Sequence, residues 1–113
     1  TFPKPPYRDR KERYIAHLED APPEVLLVSC ADKLHNARAI LADYEIEGDR
    51  LWQRFSVKSR REQLWYYEGL ADALAERSLM LGDAGLQRLA RQLAATVEAI
   101  ARQGPEREQK PGE

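Results

Sequence analysis

The stretch that most limits how this chain can fold is Leu27-Val28-Ser29-Cys30-Ala31-Asp32-Lys33-Leu34-His35-Asn36-Ala37-Arg38. Its apolar residues recur at helical spacing, and a single carboxylate sits among them. At 3.6 residues per turn, Asp32 and Asn36 share one face, about 6 Å apart at Cβ. Leu27, Cys30, Ala31, Leu34 and Ala37, continued by Ile40 and Leu41, read as core residues. They are expected to draw Asp32 towards the interior. A bare charge there is very costly, so an acid in that position is paired or bound to a metal ion.

Proline and glycine divide the rest of the chain into helices. Three prolines within Thr1–Pro6 make an extended lead-in. A first helix, Arg8 to Glu19, carries the short apolar stripe Tyr14, Ile15 and Leu18. Ala21-Pro22-Pro23-Glu24 ends it and opens a second, from about Pro23 to Tyr44, with proline in the first turn and Glu24 at the positive end of the dipole. Gly48 marks a turn. Leu51, Trp52 and Phe55 read as a short helical turn that plugs the core, and Val57-Lys58 as loop. Ser59 and Glu62 have the spacing of a capping box at the head of a third helix, which runs to about Met80 with Leu64, Tyr67, Leu70, Ala71 and Leu74 inward. Gly82 closes it and Asp83 caps the next. The fourth helix, about Ala84 to Gln103, bears Leu86, Leu89, Leu93, Ala94, Val97, Ile100 and Ala101 as an amphipathic stripe. Gly104-Pro105 is expected to stop it, leaving a charged, frayed tail over 104–113. No strand alternation, internal repeat or glycine-rich phosphate loop is present. The fold class is all-α, an irregular bundle of four to five helices.

With 113 residues, the chain is one domain or part of one. A net charge of −1 leaves no basic excess for a nucleic-acid partner. No stretch approaches the ~20 apolar residues of a membrane span, and no signal peptide is seen. The single cysteine, Cys30, has no partner for a disulfide within the chain, which fits a reducing, cytoplasmic compartment. Its place in the apolar run reads as a small core residue rather than a nucleophile. The first residue is Thr1 rather than Met, so the start is expected not to be a natural one.

No Ser/His/Asp set stands in readable order, and there is no Cys/His nucleophile pair, CxxC or Walker-type loop. Asp32 is the first chemical candidate, because a carboxylate oxygen suits Mn²⁺, Mg²⁺ or Fe²⁺. The alternative is an acid bonded to Lys33, His35 or a neighbouring helix. The Asn36 amide both donates and accepts, which suits a nucleotide sugar or a metal-bound water; the alternative is a surface amide or one that satisfies polar groups in the core. His35 lies to the side of the Asp32–Asn36 face and reads as structural, as does His17 in its charged helix. The Arg38 fork suits a carboxylate on another helix.

Ala31-Asp32-Lys33-Leu34-His35-Asn36-Ala37-Arg38 resembles the A-D-K/R-L-x-N-x-R segment of HD-domain metal-dependent phosphohydrolases. It is most similar to the RelA/SpoT-type hydrolases of guanosine tetraphosphate (ppGpp). Leu64-Trp65-Tyr66-Tyr67-Glu68-Gly69-Leu70-Ala71 supports the likeness, which covers roughly residues 4 to 76. The resemblance implies that residues 1–80 are the C-terminal part of an HD-domain fold, with 81–103 an additional helix. It implies that Asp32 is the last of four metal ligands and that Asn36 lies beside the nucleotide. It puts Lys11 and Tyr66 on the phosphate side, with Arg8 and Arg10 competing for the place of Lys11; the alternative is a solvated lysine and a core tyrosine.

The implied cofactor is a divalent ion, Mn²⁺ in the first instance, held by two His and two Asp. It lowers the pKa of a bound water that attacks phosphorus, while an acidic pair handles protons and pyrophosphate leaves the ribose 3′ position. The family's first His, its His-Asp pair and its Glu-Asp pair lie upstream and are not in this sequence, so no catalytic residue is assigned here. The expectation is part of a phosphohydrolase for a ppGpp-like phosphate or pyrophosphate ester, inactive alone. It should show bare apolar surface where upstream helices pack and a tendency to form a homodimer. The alternative is a non-enzymatic interaction module whose fourth helix covers a core or docks a partner. An Asp32 facing an empty notch favours the first reading; one among ordinary surface side chains favours a plain helical bundle.

Overall fold

Proline, glycine and one aspartate set the joints of the molecule. The computed structural model describes residues 7–54 and 60–108. These form α1 (Tyr7–Leu18), α2 (Pro23–Glu47), a 3-10 segment (Gly48–Arg54), α3 (Arg60–Leu81) and α4 (Ala84–Glu108). No strand occurs among the described residues, and the fold is an all-α bundle. Pro22, at φ −70° and ψ 160°, leads into α2, and Pro23 occupies the first turn, where an amide would have no intrahelical acceptor. The α2 helix continues three residues past Tyr44 and ends at Gly48, whose φ of 64° only glycine adopts without strain; its amide donates to the Tyr44 carbonyl. Gly82 does the same for α3 at φ 66°, donating to the Ser78 carbonyl at 3.0 Å. Asp83 then caps α4, its Oδ1 accepting the Leu86 amide at 2.9 Å.

The α4 helix does not stop at Gln103 as expected. It runs through Gly104 and Pro105 to Glu108. Proline at 105 cannot donate to the Ala101 carbonyl one turn back. Arg60, at the head of α3, donates its Nη2 to that carbonyl at 2.8 Å. The bond that proline removes is thus replaced from a neighbouring helix. The first and last residues, with Phe55, Val57, Lys58 and Ser59, lie outside the described set, so the lead-in, the loop, the Ser59 half of the capping box and the end of the tail do too. Glu62, its other half, accepts two hydrogen bonds from Arg8 Nη2, at 3.1 and 3.0 Å.

One core joins all the elements. The α4 helix packs on both α2 and α3, burying Leu86, Ala90, Leu93, Val97 and Ile100 against Leu26, Cys30, Leu34, Ala37, Ile40 and Tyr44 of α2 and Tyr66, Tyr67, Leu70, Ala71 and Leu74 of α3. Ala94, expected in that stripe, is exposed. Leu51 and Trp52 of the 3-10 segment fill the end of the core, held by the Tyr44 hydroxyl, which donates to Asp49 Oδ1 at 2.8 Å. The α1 helix lies on α3 at a close approach: a Cβ at Gly69 would sit 2.7 Å from Ile15 Cδ1. None of the described helices is long and apolar enough to cross a membrane.

Candidate functional site

The register of α2 decides where the motif residues point. Leu26, Cys30, Leu34, Ala37, Ile40 and Tyr44 turn inward. Asp32 stands two residues from Cys30 and two from Leu34, about 200° around the helix from each. It is therefore exposed, not drawn to the interior as expected, and Ala31 is exposed with it, while Leu27 and Leu41 are half-buried. The error has a simple origin. Apolar residues occur on every side of α2, so periodicity alone does not say which side is covered.

The exposed side of α2 that carries Asp32 mixes apolar residues with the charged Glu24, Arg38 and Glu45. Val28 is 70% exposed and Ile46 82%, and Val25, Ala31, Ala39 and Ala42 are exposed alongside them. Asn36 and His35 lie on the same side. Among the described residues, the Asp32 and Asn36 side chains make no hydrogen bond or salt bridge, so the reading of Asp32 as an acid tied to Lys33 or His35 does not hold. Asp32 offers one carboxylate donor, and no three His, Cys, Asp or Glu side chains gather as a metal site among the described residues. One donor fits one corner of a cage; it does not hold an ion by itself.

The structure brings Lys11 and Tyr66 together. Lys11 Nζ lies 4.4 Å from the centre of the buried Tyr66 ring. Lys33 Nζ lies 5.9 Å from the same centre and 5.1 Å from that of Tyr14. The Tyr14 hydroxyl donates to Ser29 Oγ at 3.3 Å, tying α1 to α2. Two ammonium groups thus share an aromatic floor whose ring faces attract cations. Burial lowers the pKa of Lys11, and the charges of Lys33 and then Arg10 lower it further. The sequence offers Lys33 only as an alternative partner of Asp32 and Tyr14 only as a core-stripe residue, neither as part of a site. The signal was faint: Ser29 and Lys33 are four apart on one side of α2, and Tyr14 is three residues after Lys11.

The competitors for the place of Lys11 separate cleanly. Arg8 is committed to Glu62, and its guanidinium lies 3.9 Å from the centre of the Trp65 ring. Arg10 is exposed. Arg38 reaches α4, but its partner is the Gln92 amide oxygen at 3.3 Å rather than a carboxylate. His17 is exposed, 6.3 Å from Tyr14 between ring centres. Cys30 is wholly buried, and burial pushes its thiol up to about 11, which makes it a core residue and a poor nucleophile.

The fold and these side chains define a small all-α bundle with one uncovered helix face and a lysine pair beside it. Compared with protein-family models and with curated proteins, the sequence matches none.

Proposed function

We propose that the chain is the C-terminal part of an HD-type metal-dependent phosphohydrolase whose substrate is a nucleotide carrying a phosphate or pyrophosphate ester, of the ppGpp kind. The observation that carries this reading is the Asp32 face of α2. The Asp32 carboxylate and Asn36 amide stand one turn apart on an exposed side of α2 that also carries Val25, Val28, Ala31, Ala39, Ala42 and Ile46, with Glu24, His35, Arg38 and Glu45 around them. Large apolar side chains left this exposed on one side of a long helix mark a surface that another element can cover. That is the surface expected where further helices pack and bring the remaining donors to Asp32. The Lys11–Tyr66 contact supports the phosphate side of the same reading.

Each residue has a stated part. Asp32 would hold one coordination position of a divalent ion, Mn²⁺ foremost. The ion would lower the pKa of a bound water. Asn36 would orient the nucleotide sugar, and Lys11 and Tyr66 would neutralise and hydrogen-bond phosphate oxygens. The metal's other ligands and the acid–base pair are not among these 113 residues, so the chain alone should not turn over. The buried, unpaired thiol of Cys30 agrees with a cytoplasmic setting.

The test is Mn²⁺ titration followed by paramagnetic line broadening in NMR spectra. Broadening should centre on Asp32 at millimolar Mn²⁺ and vanish in Asp32→Ala. Broadening centred elsewhere, or robust Mn²⁺-dependent pyrophosphate release by this chain, would sink the reading. In the gene, a His codon followed about 20–30 residues later by His-Asp, upstream of Thr1, would supply the ligands that must converge on one ion.

A non-enzymatic interaction module is the second reading. The α4 stripe does not serve it, because Leu86, Leu93, Val97 and Ile100 are already buried in the chain's own core. The exposed apolar face of α2 is what favours it. Light scattering after size exclusion separates the cases: a dimer lost on Val28→Glu supports it, and a monomer at all concentrations removes it.

A further inference from the structure

We infer that the outer groove between α3 and α4 docks a second copy of this chain, the two α4 helices lying antiparallel about a two-fold axis beside Ala94. The inference goes beyond the phosphohydrolase reading and does not depend on it. The groove consists of two hollows that share Ala94. Ala71, Val97 and Ala101 line the first, together with the exposed Glu68, Asp72 and Glu98. Ala75, Leu79 and Ala90 line the second, beside the exposed Arg91. On α4, Gln87, Arg91, Ala94, Glu98 and Ala101 recur at alternating steps of four and three residues, the spacing of a seam between two helices. This line runs beside the one through Leu86, Ala90, Leu93, Val97 and Ile100, which is buried in the chain's own core.

Charge decides the occupant. Glu68 and Asp72 stand one turn apart on α3 and repel each other. Among the described residues, Glu68, Asp72 and Arg91 make no hydrogen bond or ion pair. Glu98 meets Arg102 at 3.9 Å on its own helix, with both side chains largely exposed, and such a pair is weak. Arg91 and Glu98 lie two turns apart on one line of α4, with Ala94 and Ala95 midway between them. A two-fold axis at that midpoint sets Arg91 of each copy against the acidic hollow of the other. A uniformly basic helix would suit the acidic hollow but confront Arg91, and an acidic one would do the reverse. The antiparallel second copy suits both ends, and the alanines at the axis let the two helices approach closely. Leu79, 72% exposed on the groove wall, is then covered by the C-terminal half of the second copy's α4. The line from Gln87 to Ala101 is about 22 Å long, which sets a small interface and a dimer of micromolar strength.

The test is light scattering after size exclusion, on the full chain over a range of concentrations. The chain should dimerise, and Val28→Glu should leave the dimer intact, because the exposed side of α2 takes no part in it. Arg91→Glu and Glu98→Arg should each raise the dimer Kd about tenfold or more, since each sets like charges against one another twice across the axis. An equimolar mixture of the two variants restores opposite charges at both places and should dimerise within about threefold of the parent Kd. Both positions are exposed, and circular dichroism verifies that each variant is folded. Four results would each overturn the antiparallel dimer: a monomer up to millimolar concentration, a dimer that both charge reversals leave unchanged, a dimer lost on Val28→Glu, or a mixture that stays monomeric.

Discussion

At the scale of single residues, what a side chain does here follows from which way its helix faces. Cys30 is wholly buried and its thiol titrates near 11 rather than 9.0. The folded chain therefore keeps its proton where the unfolded chain has lost it. The sign follows: this contribution to stability is complete below pH 9.0 and is lost as pH rises towards 11. Urea midpoints should fall over that window, and Cys30→Ala should flatten the fall. At pH 8, a thiol reagent should label native protein slowly and unfolded protein at once. Asp83 gives a second local prediction. Its carboxylate accepts the Leu86 amide at 2.9 Å. Asp83→Ala should cost about 1 kcal/mol in urea unfolding, and Asp83→Asn or Asp83→Ser should recover most of it.

Between elements, contacts from distant parts of the chain decide what local sequence does not. The joints were legible. Pro22-Pro23, Gly48, Gly82 and Asp83 each act through a backbone property that belongs to the residue itself. The end of α4 was not, because the donor that relieves Ala101 is Arg60 on another helix. The candidate site divides the same way. The one-turn spacing of Asp32 and Asn36 is a property of α2 alone and was readable. The exposure of Asp32 depends on which side of α2 the other helices cover, and the Lys33–Tyr14 contact depends on how α1 docks.

Docking of α1 on α3 turns on Gly69, where a Cβ would meet Ile15 Cδ1 at 2.7 Å. That atom is the end of a flexible side chain. Gly69→Ala should therefore change stability by less than about 1 kcal/mol, helix propensity offsetting the small shift. Gly69→Leu overfills the contact and should cost about 1–3 kcal/mol. It should also part Lys11 from Tyr66, seen as loss of the ring-current shift on the Lys11 methylenes.

At the scale of the molecule, the bundle is a slab of 48 × 42 × 19 Å. With helix axes 8–10 Å apart in packed layers, a thickness of 19 Å holds about two layers of helices. A two-layer slab can cover one side of α2, and α4 and α3 take that side. The other side keeps Val28 and Ile46 at 70% and 82% exposure, with Asp32 and Asn36 between them. The double variant Val28→Glu, Ile46→Glu tests what this side is for. In the chain as it stands both residues are largely exposed, so the urea midpoint should shift by no more than about 0.5 kcal/mol equivalent. Binding of a hydrophobic dye should fall. In a longer protein whose added helices cover this face, the same two carboxylates would be buried without partners. Stability there should fall by several kcal/mol, with loss of any metal-dependent hydrolysis. A double variant as harmless in the longer protein as in the short one would mean that nothing packs on α2. The apolar residues around Asp32 would then have no bearing on phosphate chemistry.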